Sequence, residues 1–432
     1  MKPYASYKPS GVPWLGDVPS HWQVEKVKFQ ARLRGEKAVG TNGARYVGME
    51  HVLSKVGKFN PVVEGTQEEA ESTVNVFSKG DVLFGKLRPY LAKCVVADTD
   101  GVCSSEFLVL APSDEVAPAY LNATMLMQEF IDAVDASTFG AKMPRADWGF
   151  IGQQRLPLPP PDEQQAIADY LDAETARIDT LIHEKDELIG LLREWRQSVI
   201  VEAVTKGLNK DAPMKASGVA VLGEVPSHWE VKKIRYVLEA IGDVDHFMPE
   251  SVDKGVPYLM TGDLKDLVSE VSLDDCKQVA YKDYLALSKR IKSSKGDVVM
   301  ARYATIGTAM YVDMDIDFLV SYSCVTLKPN QSNMSGLYLF QYMKSDAFLH
   351  GVENQINTNT QGNVGISDLQ NVMIAVPPLP EQQAIADYLD AETAKIDDLI
   401  AHTNDEIALL KELRAATIAD AVLGRVDVRT KN

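Results

Sequence analysis

Two stretches of the chain carry a helical rhythm of apolar residues. From 162 to 206 there is no proline, and glycine occurs only at Gly190 before Gly207, which reads as a stop. Alternating steps of four and three from Ile167 pass through Leu171, Glu174, Ile178, Leu181, Lys185, Leu188, Leu192, Trp195, Val199 and Glu202, and eight of these eleven positions are apolar. That is the seam of a coiled coil. The extended run Leu156-Pro157-Leu158-Pro159-Pro160-Pro161 precedes it, and Asp162 is placed to cap it. A second stretch opens after Pro377-Pro378-Leu379-Pro380 and runs through Ile385, Leu389, Ile396, Leu399, Ile407, Leu410 and Leu413 to Gly424. Each predicts a rod of roughly 65–70 Å at 1.5 Å per residue.

Elsewhere the pattern is strand-like. Residues 23–156 and 230–376 hold short apolar runs between turn residues, such as Val82-Leu83-Phe84, Phe107-Leu108-Val109-Leu110, Val298-Val299-Met300 and Val372-Met373-Ile374-Ala375-Val376. Shorter helices are expected at 118–135 and 335–350. Each insert reads as an α+β domain.

The chain is written twice. Residues 163–179 (EQQAIADYLDAETARID) and 381–397 (EQQAIADYLDAETAKID) differ only at Arg177 against Lys395. Upstream, Trp14-Leu15-Gly16-Asp17-Val18-Pro19-Ser20-His21-Trp22 matches Val221-Leu222-Gly223-Glu224-Val225-Pro226-Ser227-His228-Trp229 at seven of nine positions. The offsets are 207 and 218, so the second copy carries eleven extra residues between its markers. Inside, only a skeleton survives, such as Lys79-Gly80-Asp81-Val82 against Lys295-Gly296-Asp297-Val298. Drift alone would blur frame and insert alike. Near-identical frames imply one shared structural task, and divergent inserts imply two targets. The expected organisation is a conserved segment 1–22, a first insert domain 23–161, a long helix 162–207, a linker 208–229, a second insert domain 230–380, a second long helix 381–425 and a tail 426–432. Pseudo-two-fold symmetry would pair the helices as an antiparallel coiled coil; the alternative is that each helix covers only its own domain.

Charge refines this picture. The net charge of −17 argues against nucleic acid until it is located. The helix regions hold eleven acidic against five basic residues (162–206) and ten against four (381–425), so −12 of the −17 lies there. That acidity marks where DNA is not. Basic residues cluster around each Lys-Gly-Asp turn: Lys79, Lys86, Arg88 and Lys93 beside Tyr90, and Lys289, Arg290, Lys292, Lys295 and Arg302 beside Tyr303. Such clusters suit phosphate contact and the reading of guanine, although a solvated face has the same composition. A polar loop follows in each insert, with Ser137, Thr138, Lys142, Arg145 and Asp147 in one and Asn354, Gln355, Asn357, Thr358, Asn359, Gln361 and Asn363 in the other. Amide side chains can pair with adenine and arginine with guanine. The candidate DNA contacts are therefore Lys86, Arg88, Tyr90, Lys142, Arg145, Lys292, Arg302, Tyr303, Asn357, Asn359, Gln361 and Asn363.

Several chemistries lack their signatures. No adenine-flipping tetrad, glycine-rich cofactor loop or phosphate-binding G-x-x-x-x-G-K-[ST] is present. Pro161-Asp162 and Glu184-Lys185 superficially suggest a nuclease but lie on or before the helix, where no cleft gathers carboxylates. His21 and His228, each beside a tryptophan, read as packing or capping residues. Cys94, Cys103, Cys276 and Cys324 are scattered as reduced thiols rather than ligands would be, which suits a cytoplasmic protein without a membrane span.

The doubled G-x-V-P-x-H-W segments, and the proline-rich steps into E-Q-Q-x-I-x-x-Y-L-D, closely resemble the specificity subunit of type I restriction–modification systems. The resemblance covers essentially the whole chain. It implies a non-catalytic DNA-binding subunit that recognises a bipartite, asymmetric site with two target-recognition domains. It also implies partners: two adenine methyltransferase subunits using S-adenosylmethionine, and two restriction subunits using ATP and magnesium in a restricting complex. The competing expectations are a self-sufficient methyltransferase or nuclease, and a structural spacer without a DNA role.

Overall fold

The computed structural model describes residues 2–41, 43–61, 73–138, 142–355 and 364–429. The chain divides into two compact units, Met1–Asp186 with Asn404–Asn432, and Glu187–Thr403. Each unit takes one part of each long helix, Pro161–Lys206 and Leu379–Val422.

In the first unit, a four-stranded antiparallel sheet runs in the order Ala31–Leu33, Phe107–Pro112, Val82–Gly85, Cys94–Val96. Val82–Gly85 is buried throughout because both of its faces are covered. Val82 and Phe84 point into a core shared with the helices, whereas Leu83 points into one shared with a second sheet. That second sheet runs Lys37–Val39, Thr73–Phe77, Gly101–Cys103, Tyr46–Val47. The ladder Arg155–Leu158 with Gln23–Lys26 leads the chain into the long helix.

The second unit follows the same plan with different content. Its four-stranded sheet is ordered Leu238–Gly242, Cys324–Pro329, Val298–Ala301, Ala309–Tyr311. Val298 and Met300 face one core and Val299 and Ala301 another. A long strand, Ser251–Leu259, and a helix, Tyr281–Leu287, fill the stretch where this copy is longer. The helix pair Pro118–Met125 and Gln128–Ala136 has its counterpart in Gly336–Met343 and Asp346–Glu353.

The long helices meet antiparallel within each unit. In the first, Ile167 and Leu171 share a core with Ile418 and Ala421, Asp179 pairs with Arg414, and Lys185 pairs with Glu406. In the second, Ile200 and Ala203 share a core with Ile385 and Leu389, and Arg196 pairs with Asp397. The covered strip is Ile167, Leu171, Thr175, Ile178, Ile182, Lys185, Ile189, Leu192, Arg196, Ile200 and Ala203, all buried or half-buried. The second helix repeats it at a constant offset of 218: Ile385, Leu389, Thr393, Ile396, Ile400, Thr403, Ile407, Leu410, Arg414, Ile418 and Ala421.

This strip corrects part of the expected seam. Ten steps cover 36 residues in either helix, the 3.6 period of a straight helix rather than the 3.5 of a strict heptad. Two successive steps of four at Leu171 and Thr175 put alternate positions one residue later than expected. Ile182, Ile189 and Arg196 therefore replace Leu181, Leu188 and Trp195, and Ile400 replaces Leu399. Leu188, Trp195 and Leu399 are 43%, 50% and 48% exposed, and Leu181 is half-buried. The remaining seam residues, Ile167, Leu171, Ile178, Leu192, Ile385, Leu389, Ile396, Ile407 and Leu410, fall on the strip.

The repeated frame is a clamp at the start of each helix. Glu163 is buried and accepts hydrogen bonds from Trp22 Nε1 (2.8 Å), Tyr4 Oη (3.2 Å) and Arg429 (2.8 Å), with His21 Nε2 at 2.7 Å. Glu381 repeats the pattern with Trp229 Nε1 (3.0 Å) and His228 Nε2 (2.7 Å). Gln164 and Gln382 lock the neighbouring turn, accepting from Ala117 N and Ser335 N and donating to the Pro159 and Pro377 carbonyls. Gly207 and Gly424, at φ 73° and 68°, end the helices against Trp229 and Trp22, where a Cβ would meet the indole ring at 2.9 Å. The two histidines are thus frame residues.

The two clamps differ in depth. Glu163→Ala strands Trp22 Nε1 and Tyr4 Oη in a buried site, while Arg429 keeps Asp427, and should cost about 2–4 kcal/mol. Glu381→Ala, at a half-exposed carboxylate with two donors, should cost about 1 kcal/mol. Urea titration of the two variants checks this; equal losses would contradict it.

Candidate nucleic-acid interface

In the first unit the Lys-Gly-Asp turn is scaffolding. Gly80 takes φ 88°, and buried Asp81 accepts from Ser78 N (2.7 Å) and Arg34 Nε (2.6 Å). Strand Val82–Gly85 then delivers the chain to a loop in which Arg88 and Ala92 adopt left-handed φ of 50° and 45° around the short turn Pro89–Leu91. The later polar loop docks on this one. Arg88 N donates to Pro144 O (2.8 Å), Ala146 N donates to Lys86 O (2.9 Å), and Leu87 bridges Arg145. The two sequence signals of this copy therefore occupy one surface.

Their side chains are not equivalent. Arg88 and Lys142 are exposed, and the described residues offer neither of them a carboxylate. Tyr90 is 46% exposed beside them, and Lys86 is half-exposed. Arg145 is committed: its guanidinium forks onto Glu106 at 2.9 and 3.0 Å, and that hydrogen bonding holds the Glu106 carboxyl below the usual carboxylate range. Lys93 is spent on Met49 O (2.6 Å). The surface thus presents Lys86, Arg88 and Lys142 with one exposed aromatic ring, a set suited to backbone phosphate and one or two base edges.

The second unit keeps the backbone and changes the chemistry. Gly296 takes φ 95°, and Asp297 accepts from Ser294 N (2.8 Å) and Lys328 Nζ (2.5 Å). Ala304, at φ 59°, stands where Arg88 does, and Val364 N donates to Arg302 O (3.2 Å) as Ala146 does to Lys86. Arg302, however, lies in the interior at 5% exposure. It donates to Asp243 Oδ2 (2.5 Å), Tyr322 O (3.2 Å) and Val364 O (3.2 Å), and lies over the Tyr303 ring. Arg290 spans Asp243 and Asp245, each at 3.0 Å, and Lys292 pairs with Asp317 at 2.8 Å. The net positive charge counted along 289–302 is thus largely neutralised by acids from other segments. Arg302 belongs to the scaffold rather than to the surface set expected of it. Asn357, Asn359, Gln361 and Asn363 lie outside the described residues.

One exposed feature went unread in the sequence. Phe247 and Met248 are 54% and 44% exposed, next to His246, which stacks on Tyr322 at 5.0 Å. The signal was Asp245-His246-Phe247-Met248-Pro249, too short to show periodicity.

No cluster of metal-binding side chains occurs among the described residues, and none of their helices is long and apolar enough to cross a membrane. The four cysteines are free, and burial pushes their thiols up, Cys324 to about 11 and Cys103 to about 12. They are therefore poor nucleophiles near neutrality.

Two mixed α/β units on a repeated frame, each with its own loop surface, define a DNA-specificity class of protein. The family described as type I restriction modification DNA specificity domain matches residues 36–189 and 226–409, and the chain belongs to that family. It is 21% identical to the type I restriction enzyme MjaIX specificity subunit of Methanocaldococcus jannaschii, over 96% of this chain and 95% of that one. It is also 21% identical to the EcoBI specificity subunit of Escherichia coli, where the match covers 69% of this chain and 64% of that protein. Two solved structures share the fold. One, from a study of complex assembly and conformational transition of the type I R-M system, gives a TM-score of 0.73 at 21% identity over 95% and 99% of the two chains. The HsdS subunit from Thermoanaerobacter tengcongensis gives 0.54 at 20% identity over 95% and 98%.

Charge commitment separates two kinds of variant. Arg88→Ala and Lys142→Ala should each weaken DNA binding several-fold and lower the slope of log K against log salt by about 1, with folding intact. Arg302→Ala should instead cost about 3 kcal/mol of stability, because buried Asp243 keeps only the half-exposed Arg290 beside it and the Tyr322 and Val364 carbonyls lose their donor. Salt-dependent binding and thermal unfolding on the same samples test the division. A stable Arg302→Ala with a reduced salt slope would contradict it.

Proposed function

We propose that this chain is the sequence-reading subunit of a type I restriction–modification complex. Its two reading domains, residues 23–161 and 230–380, each recognise one half of a bipartite, asymmetric site in double-stranded DNA. The paired long helices form an antiparallel coiled coil with internal pseudo-two-fold symmetry, and their length sets the gap between the half-sites. The chain itself performs no chemistry. Methyl transfer from S-adenosylmethionine belongs to two modification subunits, and ATP- and magnesium-dependent cleavage to restriction subunits, two in a full complex.

One observation carries the reading. The same backbone frame holds exposed Arg88 in one unit and Ala304 in the other, and a half-exposed Lys86 against a buried Arg302. One scaffold with two different surfaces is what two unlike half-sites require. A self-sufficient methyltransferase or nuclease would need a cofactor or metal site within the chain, and a mere spacer would have no use for divergent exposed cations.

The docking face follows from the strip. Residues displaced from it form an exposed apolar row, Leu188, Leu191 and Trp195, on the first helix. Leu409 and Leu413, 218 residues after Leu191 and Trp195, repeat two of its three positions on the second, with Glu406 in place of Leu188. Two equivalent apolar rows amid acidic helices suit two copies of one partner subunit.

Mapping modified adenines genome-wide tests the reading domains: exchanging residues 23–156 for another insert should change one half-site and leave the other intact. Changes in both, or no modification dependent on the chain, would refute it. The double variant Leu191→Glu, Leu409→Glu should reduce co-purification of the modification subunits at least tenfold, a loss of about 1.4 kcal/mol or more, while the chain remains folded. Undiminished recovery would remove this face from the assembly.

A further inference from the structure

The two helix-borne arginines occupy equivalent positions, yet they have different neighbours. Arg196 and Arg414 are 218 residues apart, and each pairs with the equivalent aspartate on the opposing helix, Asp397 and Asp179. Arg196 uses its fork on Asp397 alone, through Nε (2.9 Å) and Nη2 (3.1 Å). Arg414 is more deeply buried and does more. Its Nε donates to Asp179 Oδ1 (2.8 Å), Nη1 to Lys55 O (2.9 Å) and Nη2 to Val56 O (2.9 Å). A planar guanidinium can serve an acid and two carbonyls at once, which an ammonium cannot.

The segment it holds is the one on which the reading loop rests. Lys55 has a left-handed φ of 64°, a conformation that non-glycine residues keep only where the surroundings impose it. Its own N–H donates to Ala92 O (3.0 Å), the closing residue of the left-handed loop that presents Arg88 and Tyr90. Lys58 adds a second tie to the helix through Asp172 at 3.7 Å, and Asn122 holds Gly57 O at 3.4 Å. An unbroken set of hydrogen bonds therefore runs from Arg414 through the Lys55–Val56 peptides to the loop 86–92. In the second unit, Arg196 has no loop carbonyl among the described residues, so its counterpart loop lacks this support.

We infer that Arg414 is a positioning residue for the first reading domain: it fixes the loop 86–92 against the helix pair and thereby sets discrimination at one half-site only. This rests on the proposal that the chain reads a bipartite site, and the experiment is arranged so that the two can fail separately.

The test uses the full chain in complex with its modification partners. Three duplexes are compared: the mapped site, and the same duplex with either half-site scrambled. The exchange of residues 23–156 identifies which half-site belongs to the first domain. Arg414→Gln should reduce discrimination at that half-site about tenfold and leave the other unchanged within twofold, with an unaltered salt slope. Arg196→Gln, which breaks the matching ion pair without touching a loop, should change neither. Arg414→Lys, which keeps the charge and loses the fork, should show the same one-sided loss, and it decides the matter if Arg414→Gln does not fold. Equal loss at both half-sites, or full discrimination in the folded arginine variant, overturns the inference while leaving the bipartite reading in place. A wild-type complex indifferent to both scrambled duplexes overturns the bipartite reading, and the inference falls with it.

Discussion

The structure depends on a mismatch between what each long helix has and what it needs. Each has a single apolar strip that would otherwise face water, and its own domain's core takes in the first turns, Ile167 and Leu171 in one and Ile385 and Leu389 in the other. Within each unit the other long helix covers further positions, with Ile167 beside Ile418 and Ala421 and Asp179 on Arg414 in the first, and Arg196 on Asp397 in the second. Each unit is consequently built from chain segments far apart in sequence, and neither reading domain owns its helical support outright. The near-identity of the two frames follows from this, because both strips must keep one register to pair with each other.

The strip also explains how acidic rods and DNA binding coexist. Its interior positions include Thr175, Thr393, Thr403, Arg196 and Arg414 as well as aliphatic residues. Thr393 and Thr403 meet their hydrogen-bonding needs on the preceding turn, at 2.7 Å to Leu389 O and Leu399 O. The arginines meet theirs on an aspartate of the opposing helix, Arg414 also on the Lys55 and Val56 carbonyls. Polar residues such as Thr393, Thr403, Arg196 and Arg414 thus enter the seam with partners of their own, and the remaining acids are left to the outer faces. The candidate DNA-contact loops stand on separate β-sheets whose buried aspartates, Asp81 and Asp297, fix the turn just before the divergent surface begins.

Much of this was legible in the letters, and the parts that were not share a cause. The duplication and both helices followed from repeated words and spacing alone. The buried strand Val82–Gly85 could be read because its apolar run was uninterrupted. The seam drifted because strict alternation of fours and threes cannot anticipate a buried threonine at 175, which moves alternate positions onward by one residue. Arg302 was misplaced for a related reason. Its acid, Asp243, lies 59 residues away, and no local count of charge can reveal that pairing. The contact between Arg88 and Pro144 was invisible likewise, although both loops had been singled out separately. Glu163 and Glu381 were in plain view within the duplicated words, but their partners Trp22 and Trp229 lie in the other repeated segment, and only the fold joins them.

The central claim is that the helices space two independent readers. Inserting eleven residues in both helices, a 4-4-3 step that preserves the strip, adds about 16 Å to each rod. Mapping modified adenines in cells carrying this variant measures the result directly. The account predicts the same two half-sites separated by a wider gap. An altered half-site with an unchanged gap would contradict it.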